Sequence, residues 1–263
     1  MFKSNWMDLT PRLAFWDTCY VRDIFRRRDR LEERGGYKIT QYLEWVSAHT
    51  VPAGKQLMYH KHNMEEIMYF LQGEGVISSG GSTHKVGVED AAYVPTGAPH
   101  SIRSTIDNQP ITFVSYTLPT PPDAKEVSIK KTSQKEKGGV VQVRRWTARE
   151  CRPGHHGTCW TYGVFEKKDM LNFLFAVMMT VPGTLGYHRH NTEAIYFVRS
   201  GKGMMKVGGE ELEIRAGDAV YIPFEVAHRP RTTVEDQPLN VFCVGVAIPY
   251  DAKVWTLEDL PDL

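Results

Sequence analysis

Cysteine is scarce in this chain of 263 residues: there are four, Cys19, Cys151, Cys159 and Cys243, scattered from end to end. Their number and spacing exclude a disulfide-stapled framework and fit a reduced compartment. No apolar run reaches bilayer-spanning length, and the opening MFKSNWMDLTPRLAFWD lacks the apolar segment of a secretory signal. A cytoplasmic protein with no membrane partner is therefore expected. Neither sign of charge is in excess, with 32 Lys and Arg against 31 Asp and Glu, which excludes a general attraction for nucleic acid. The one basic run, RRRDR from Arg26 to Arg30, reads as solvated surface. Aromatic and basic residues are not interleaved at the density of a nucleic-acid platform.

What the chain does have is a repeat. YHKHNMEEIMYFLQGEG, from Tyr59 to Gly75, returns as YHRHNTEAIYFVRSGKG, from Tyr187 to Gly203. His60 and His188, His62 and His190, Gly73 and Gly201, Asp90 and Asp218, Tyr93 and Tyr221, Pro95 and Pro223, and His100 and His228 all lie 128 positions apart. Such a constant offset marks an internal duplication with a chemical site in each copy. A hydrophobic fraction of 41% can supply a core to each of two domains.

Short apolar stretches punctuated by Gly-rich turns predict an all-β architecture. The boundaries expected are an N-terminal extension over 1–36, a first domain over 37–118, a Pro- and Lys-rich linker over 119–139 and a second domain over 140–263. DTCYVRDIFRRRDRLEERGG predicts a short helix stopped by Gly35 and Gly36. Trp6, Leu13, Phe15 and Trp16 are expected to cover a sheet or a subunit contact, and Trp45, Trp146 and Trp160 to be core or interface groups. Gly73–Gly75 and Gly201–Gly203 read as hairpin turns. Sheet edges and the long N-terminal segment need cover, so a homodimer is the expected assembly.

Alternate residues of a strand share a face, so His60 and His62, and again His188 and His190, point into one cavity. His100 and His228 complete three imidazoles for a divalent metal in each copy. In the first copy Glu66 shares the inward face with Met68 and Phe70, giving a nitrogen and oxygen shell suited to iron, manganese, nickel or zinc. In the second copy Ala194 takes that position and alternation turns Glu193 away. Three histidines with open positions for a substrate, dioxygen or water are expected there. Tyr196 has the same inward parity and joins His188, His190 and His228 as a candidate catalytic residue. Arg229 and Arg231 are candidate substrate-binding residues at the pocket mouth. Cys151, His155, His156 and Cys159 read as a loop over a pocket, their spacing being unlike a zinc finger or ribbon.

These residues resemble the cupin superfamily, specifically its bicupins. Gly54, His60, His62, Glu66 and Gly73 fit the family's first motif, and Pro95, Gly97 and His100 its second, with Glu89 at the leading glycine. In the second copy His188, His190, Gly201, Gly217, Pro223 and His228 match, Ala194 replaces the glutamate and Glu225 the internal glycine. Ser104 and Thr232 stand where the second motif often ends in asparagine. The resemblance implies two tandem double-stranded β-helix, or jelly-roll, barrels. HRHNTEAIYFVRSGKG is similar to the metal strand of gentisate-type ring-cleaving dioxygenases, which implies Fe(II) on three histidines and cleavage of a hydroxylated aromatic acid. A non-haem Fe(II) dioxygenase acting at the second site on a small anionic or hydroxylated substrate is the expected function. The first site instead resembles the manganese site of oxalate-decarboxylating bicupins and the sites of cupin isomerases and lyases, implying Mn, Ni or Zn chemistry there, with Glu65 or His84 moving protons. Hydrolysis, as in ureidoglycine-processing bicupins, and non-enzymatic small-molecule binding are the remaining alternatives.

Overall fold

The computed structural model describes residues 2–30, 36–146, 150–248, 250 and 256–260. Apart from short 3-10 turns, the regular structure among them is β-strand, as the alternating pattern predicts. No helix of the described residues is long and apolar enough to cross a membrane.

The chain forms two compact units. The first comprises Leu9–Arg145 with Met170–Asn172, and the second Met1–Asp8, Trp146–Asp169 and Phe173–Leu263. In the first unit a large sheet runs in the order Gln142–Arg145, Asp90–Val94, Met64–Gln72, Ile111–Pro119, Trp45–Val51, Cys19–Arg27 and Arg12–Ala14. A smaller sheet orders Ile129–Lys131, His60–His62, His100–Ser104, Glu74–Ser79 and Ser82–Gly87. Both contribute to one core, in which Val51, Phe70 and Phe113 of the large sheet meet Ile77 and Ile102 of the small one. The second unit repeats the plan. Its large sheet orders Phe2–Asn5, Asp218–Ile222, Thr192–Ser200, Leu239–Ala247, Phe173–Val181, Cys159–Glu166 and Arg152–Gly154. Its small sheet orders Glu210–Arg215, Lys202–Val207, His228–Thr232, His188–His190 and Leu257–Asp259. Among the described residues no sheet closes on itself; each unit is a pair of sheets over a shared core.

Several expectations are corrected. The segment expected to be helical is the strand Cys19–Arg27, because its alternating Val21 and Asp23 fit the register against Trp45–Val51, which shifts before Phe25; residues 31–35 of that expected helix lie outside the described residues. Arg26 and Arg27 are not solvated: they are 1% and 5% exposed. Arg27 donates to the carbonyls of Pro122 and Ala124, and Arg30 grips the buried Glu44 carboxylate. The residues expected as extension and linker are built into the sheets. Phe2–Asn5 pairs with Asp218–Ile222, and Ile129–Lys131 pairs with His60–His62.

Gly73 and Gly201 are not hairpin turns. Met64–Gln72 belongs to the large sheet and Glu74–Ser79 to the small one, so Gly73 carries the chain from sheet to sheet. Its φ of +79° and an ideal Cβ only 2.2 Å from the Pro110 carbonyl oxygen leave no room for a side chain. Gly201, with φ +90° and the Pro238 oxygen at 2.6 Å, does the same in the second unit.

Candidate metal centres

The register explains the spacing of the histidines. His60 lies directly opposite His100 on paired antiparallel strands, and His188 opposite His228. His62 and His190 follow two residues on, so three imidazoles converge from two short strands. In each unit the three side chains are buried and their ligand nitrogens lie within 4.8 Å of one another.

The backing hydrogen bonds select the tautomer. Nδ1 of His60, His62 and His100 lies 2.9 Å from the carbonyls of Met58, Met64 and Ala98. In the second unit Nδ1 of His188 and His228 faces the carbonyls of Gly186 and Val226, at 2.8 and 2.9 Å. A carbonyl only accepts, so these Nδ1 atoms carry the proton and Nε2 presents its lone pair. His190 Nδ1 is 2.6 Å from Thr192 Oγ1. Burial, and then the neighbouring imidazoles, holds His60 and His228 well below the ordinary histidine pKa. The same causes bring His190 down to about 3. Neutral, Nδ1-protonated imidazoles aimed at one point are the form that ligates a metal.

The fit to a cation shows in what is left unpaired. Nε2 of His100, His188 and His190 is buried without a hydrogen bond, an arrangement that costs about 1–3 kcal/mol per group unless an ion takes the lone pair. In the first unit Glu66 joins the set, its Oε2 lying 3.1 Å from His62 Nε2 and 3.4 Å from His100 Nε2. Donors about 2.1 Å from one ion stand about 3 Å apart when adjacent, so these separations suit a shared metal. With the ring protons on Nδ1, the Nε2 lone pairs of His62 and His100 both face the Glu66 carboxylate, an arrangement that a cation between them would relieve. Ser115 donates a hydrogen bond to the other Glu66 oxygen.

In the second unit Ala194 is buried at the Glu66 position, and Tyr196 Oη reaches to 3.2 Å from His228 Nε2. Glu193 points to the other face, where Tyr221 donates to it. Glu65 does likewise, receiving Tyr93 Oη and the amides of Leu171 and Asn172. It is therefore engaged away from the cavity, and His84 does not line the cavity either.

Each centre opens on a cavity of its own. The first, of about 430 Å³, is lined by Arg12, Trp45, Ser47, His49, Ser115 and Thr117 besides the metal-facing residues. Phe15 and Trp16 line it too, which corrects their expected role as mere cover. The second, of about 400 Å³, is walled by Phe175, Val177, Met179, Tyr196, Cys243 and His155. Arg229 and Arg231 alternate with His228 on one strand and do not line it. Arg229 lies over the Tyr187 ring and Arg231 pairs with Glu211. Trp160 is 49% exposed, and Trp146 carries the Arg199 guanidinium over its ring.

Sequence reasoning missed Arg12 and His49 and, although it read a loop over a pocket there, the place beside His188 of His155. A signal for the first and last existed: Arg12, Thr18 and Cys19 match Arg152, Thr158 and Cys159, but 140 positions apart instead of 128. The first unit has a longer excursion between Arg27 and Trp45 than the second has between Glu166 and Phe173. A fixed-period comparison therefore passes over the matching hairpins.

His49 stacks on Phe113 at 5.1 Å, and its Nε2 lies 2.8 Å from Ser47 Oγ. Burial lowers its pKa to about 4. Between pH 6.5 and 4 the unfolded chain then binds a proton at this residue that the folded chain does not, so stability falls as the pH drops through that window. The loss amounts to about 3 kcal/mol. His49→Gln is expected to flatten this acid limb, read from urea unfolding at pH 7 and pH 4; an unchanged pH slope would show that His49 does not resist protonation in the fold.

A cupin-domain family model matches residues 48–116 and 176–245, more than half of the chain. The chain belongs to the cupin family. Among curated relatives, the chain is 22% identical over 236 residues to the H2HPP isomerase of Bacillus subtilis, covering 89% of this chain and 87% of that protein. A shorter match, 35% over 57 residues, is to an uncharacterized protein of Methanocaldococcus jannaschii; it covers 21% of this chain and less than half, 45%, of that relative. Among solved structures, a deletion mutant of the Bacillus subtilis oxalate decarboxylase OxdC superposes with a TM-score of 0.68 at 19% identity, over 99% of this chain and 79% of that one. Salicylate 1,2-dioxygenase from Pseudaminobacter salicylatoxidans gives 0.68 at 12% identity, over 82% and 74%. At such identities these likenesses establish the fold. The cupin match and the two histidine clusters make this a two-domain cupin with two candidate metal sites.

Proposed function

We propose that the first cupin unit is the catalytic one and runs an oxygen-independent lyase or isomerase reaction, such as decarboxylation, on a small carboxylate. The difference between the two cavities carries this reading. At matching ladder positions the first unit has Ser47, His49, Glu66, Ser115 and Thr117, and the second has Val177, Met179, Ala194, Cys243 and Gly245. An ideal Cβ on Gly245 would lie 2.3 Å from the Phe175 ring, so glycine there makes space for an apolar wall. At these positions one cavity is furnished for proton transfer and anion binding, and the other is apolar.

His60, His62, His100 and Glu66 would hold the metal. A bound divalent ion supplies Lewis acidity, polarising a substrate oxygen and stabilising the negative charge that builds on it. Arg12 is oriented by Asp23, which takes Nε at 2.7 Å and Nη2 at 3.1 Å. Its Nη1 has no partner among the described residues and can receive a substrate carboxylate. His49, neutral near pH 7 and linked to Ser47, is placed to accept or return a proton. Names among the relatives point the same way, to an isomerase and a decarboxylase.

A second reading rests on Ala194. The three-histidine set of the second unit, with Tyr196 beside it, suits a non-haem Fe(II) dioxygenase, and a dioxygenase shares the fold. The two readings separate in one experiment. Small carboxylic acids are incubated with the purified protein while dioxygen uptake and products are followed, in the wild type and in His60→Ala and His188→Ala. Turnover without dioxygen that disappears with His60→Ala and persists with His188→Ala is expected. Dioxygen-coupled turnover lost with His188→Ala would replace the first reading by the second.

A further inference from the structure

We propose that His155 supplies a fourth protein ligand to the metal site of the second unit, in place of the carboxylate that Ala194 lacks. This rests on His188, His190 and His228 being a metal site and not on which reaction the first unit performs.

The two units exchange groups in a reciprocal way. In the first, the strand Met64–Gln72 offers Glu66 and the turn after Arg12–Ala14 lays Phe15 against His60, ring centroids 4.8 Å apart. In the second, the strand offers Ala194 and the matching turn after Arg152–Gly154 lays His155 against His188 at 4.3 Å. That equals the 4.3 Å between His188 and His228 and is shorter than the 4.7 Å between His190 and His228. The His155 ring thus lies as near His188 as the His228 ring does, although the group whose nitrogens all lie within 4.8 Å of one another is His188, His190 and His228. Its Nδ1 is buried with no hydrogen-bond partner among the described residues, and it lines the same cavity as His188 and His190.

The turn is held in place at a conformational cost. His155 and His156 have φ of +45° and +54°, a left-handed backbone that disfavours residues with a Cβ and persists only where surroundings enforce it. Thr158 enforces it from one side: its hydroxyl donates to the His155 carbonyl at 2.7 Å and accepts the Gly186 amide at 3.2 Å. Gly186 is also the residue whose carbonyl backs His188. From the other side His156 Nε2 meets Asp259 Oδ2 at 2.6 Å, and Asp259 is the register partner of His188. The imidazole of His155 is thereby fixed relative to the very strand that carries His188.

A stacking role alone needs only an aromatic ring, and this chain already uses Phe15 for that, at φ +52°. His155→Phe therefore keeps the ring and removes the nitrogens. The full-length chain carrying His60→Ala and His62→Ala, so that only the second site reports, is titrated with Co(II) and followed by its visible absorption and by thermal melting. His155→Phe in that background is expected to weaken Co(II) binding by about 10- to 100-fold, the range typical of groups adjoining a bound metal, and to change the band shape, with the melting point of the metal-free protein kept. Affinity within twofold and a superimposable spectrum would overturn the proposal. Failure of the parent background itself to bind Co(II), as His188→Ala in that background is expected to fail, would overturn both the proposal and the metal site on which it rests.

Discussion

Glu66→Ala is expected to lower turnover about a thousandfold, equivalent to about 4 kcal/mol of transition-state stabilisation, and to weaken metal retention at the first site. The carboxylate is the one acidic group among three imidazoles, 3.1 Å from His62 Nε2 and 3.4 Å from His100 Nε2. Without it a divalent ion would keep its full charge in a buried place, where removing a partner from a charged set costs about 3–5 kcal/mol. The loss would not be one of folding, because the second unit already carries alanine at this position with its three histidines in place. Metal per chain, kcat and the melting curve are measured together. A thousandfold loss of turnover with an intact melt is the expected result. Turnover within threefold of wild type would mean that Glu66 is not part of the working site, and the first unit would lose its claim to catalysis.

Much of this site was legible in the sequence, for a specific reason. His60, His62 and Glu66, and likewise His188 and His190, sit on strands whose period of two fixes their facing once one inward residue is known. Gly73 and Gly201 mark where those strands leave the large sheet, even though the turn itself is a sheet-to-sheet crossing and not a hairpin. The residues that distinguish one cavity from the other were less visible. Arg12 and His155 reach the cavities from hairpins that are far away in sequence and displaced from the main repeat frame. His49 is an unremarkable histidine in an apolar strand until its register against Phe113 and its neighbour Ser47 are known. Arg229 and Arg231 mislead in the opposite sense: adjacency to His228 in sequence is the arrangement that puts a strand residue on the other face. The buried Arg26 and Arg27 mislead in the same way, since a run of charge reads as surface unless the partners that neutralise it are known.

Arg12→Met is expected to raise KM for the carboxylate substrate about a hundredfold with a much smaller change in kcat, a pattern that marks lost uniform binding. A charge-assisted hydrogen bond to an anion contributes about 1.5–3 kcal/mol, which is of the order needed for that shift. The substitution also has a second consequence that must be separated from the first. Asp23 is 4% exposed and spends both oxygens on Arg12, so methionine would strand a buried carboxylate and lower stability. In the double variant Arg12→Met with Asp23→Leu no charge is stranded, and stability is expected to recover while KM stays high. If KM recovered together with the melting temperature, Arg12 would be a structural partner of Asp23, and the anion would have to be held elsewhere in the cavity. Recovery of stability alone leaves the guanidinium as the group that holds the substrate, with Asp23 as the residue that aims it.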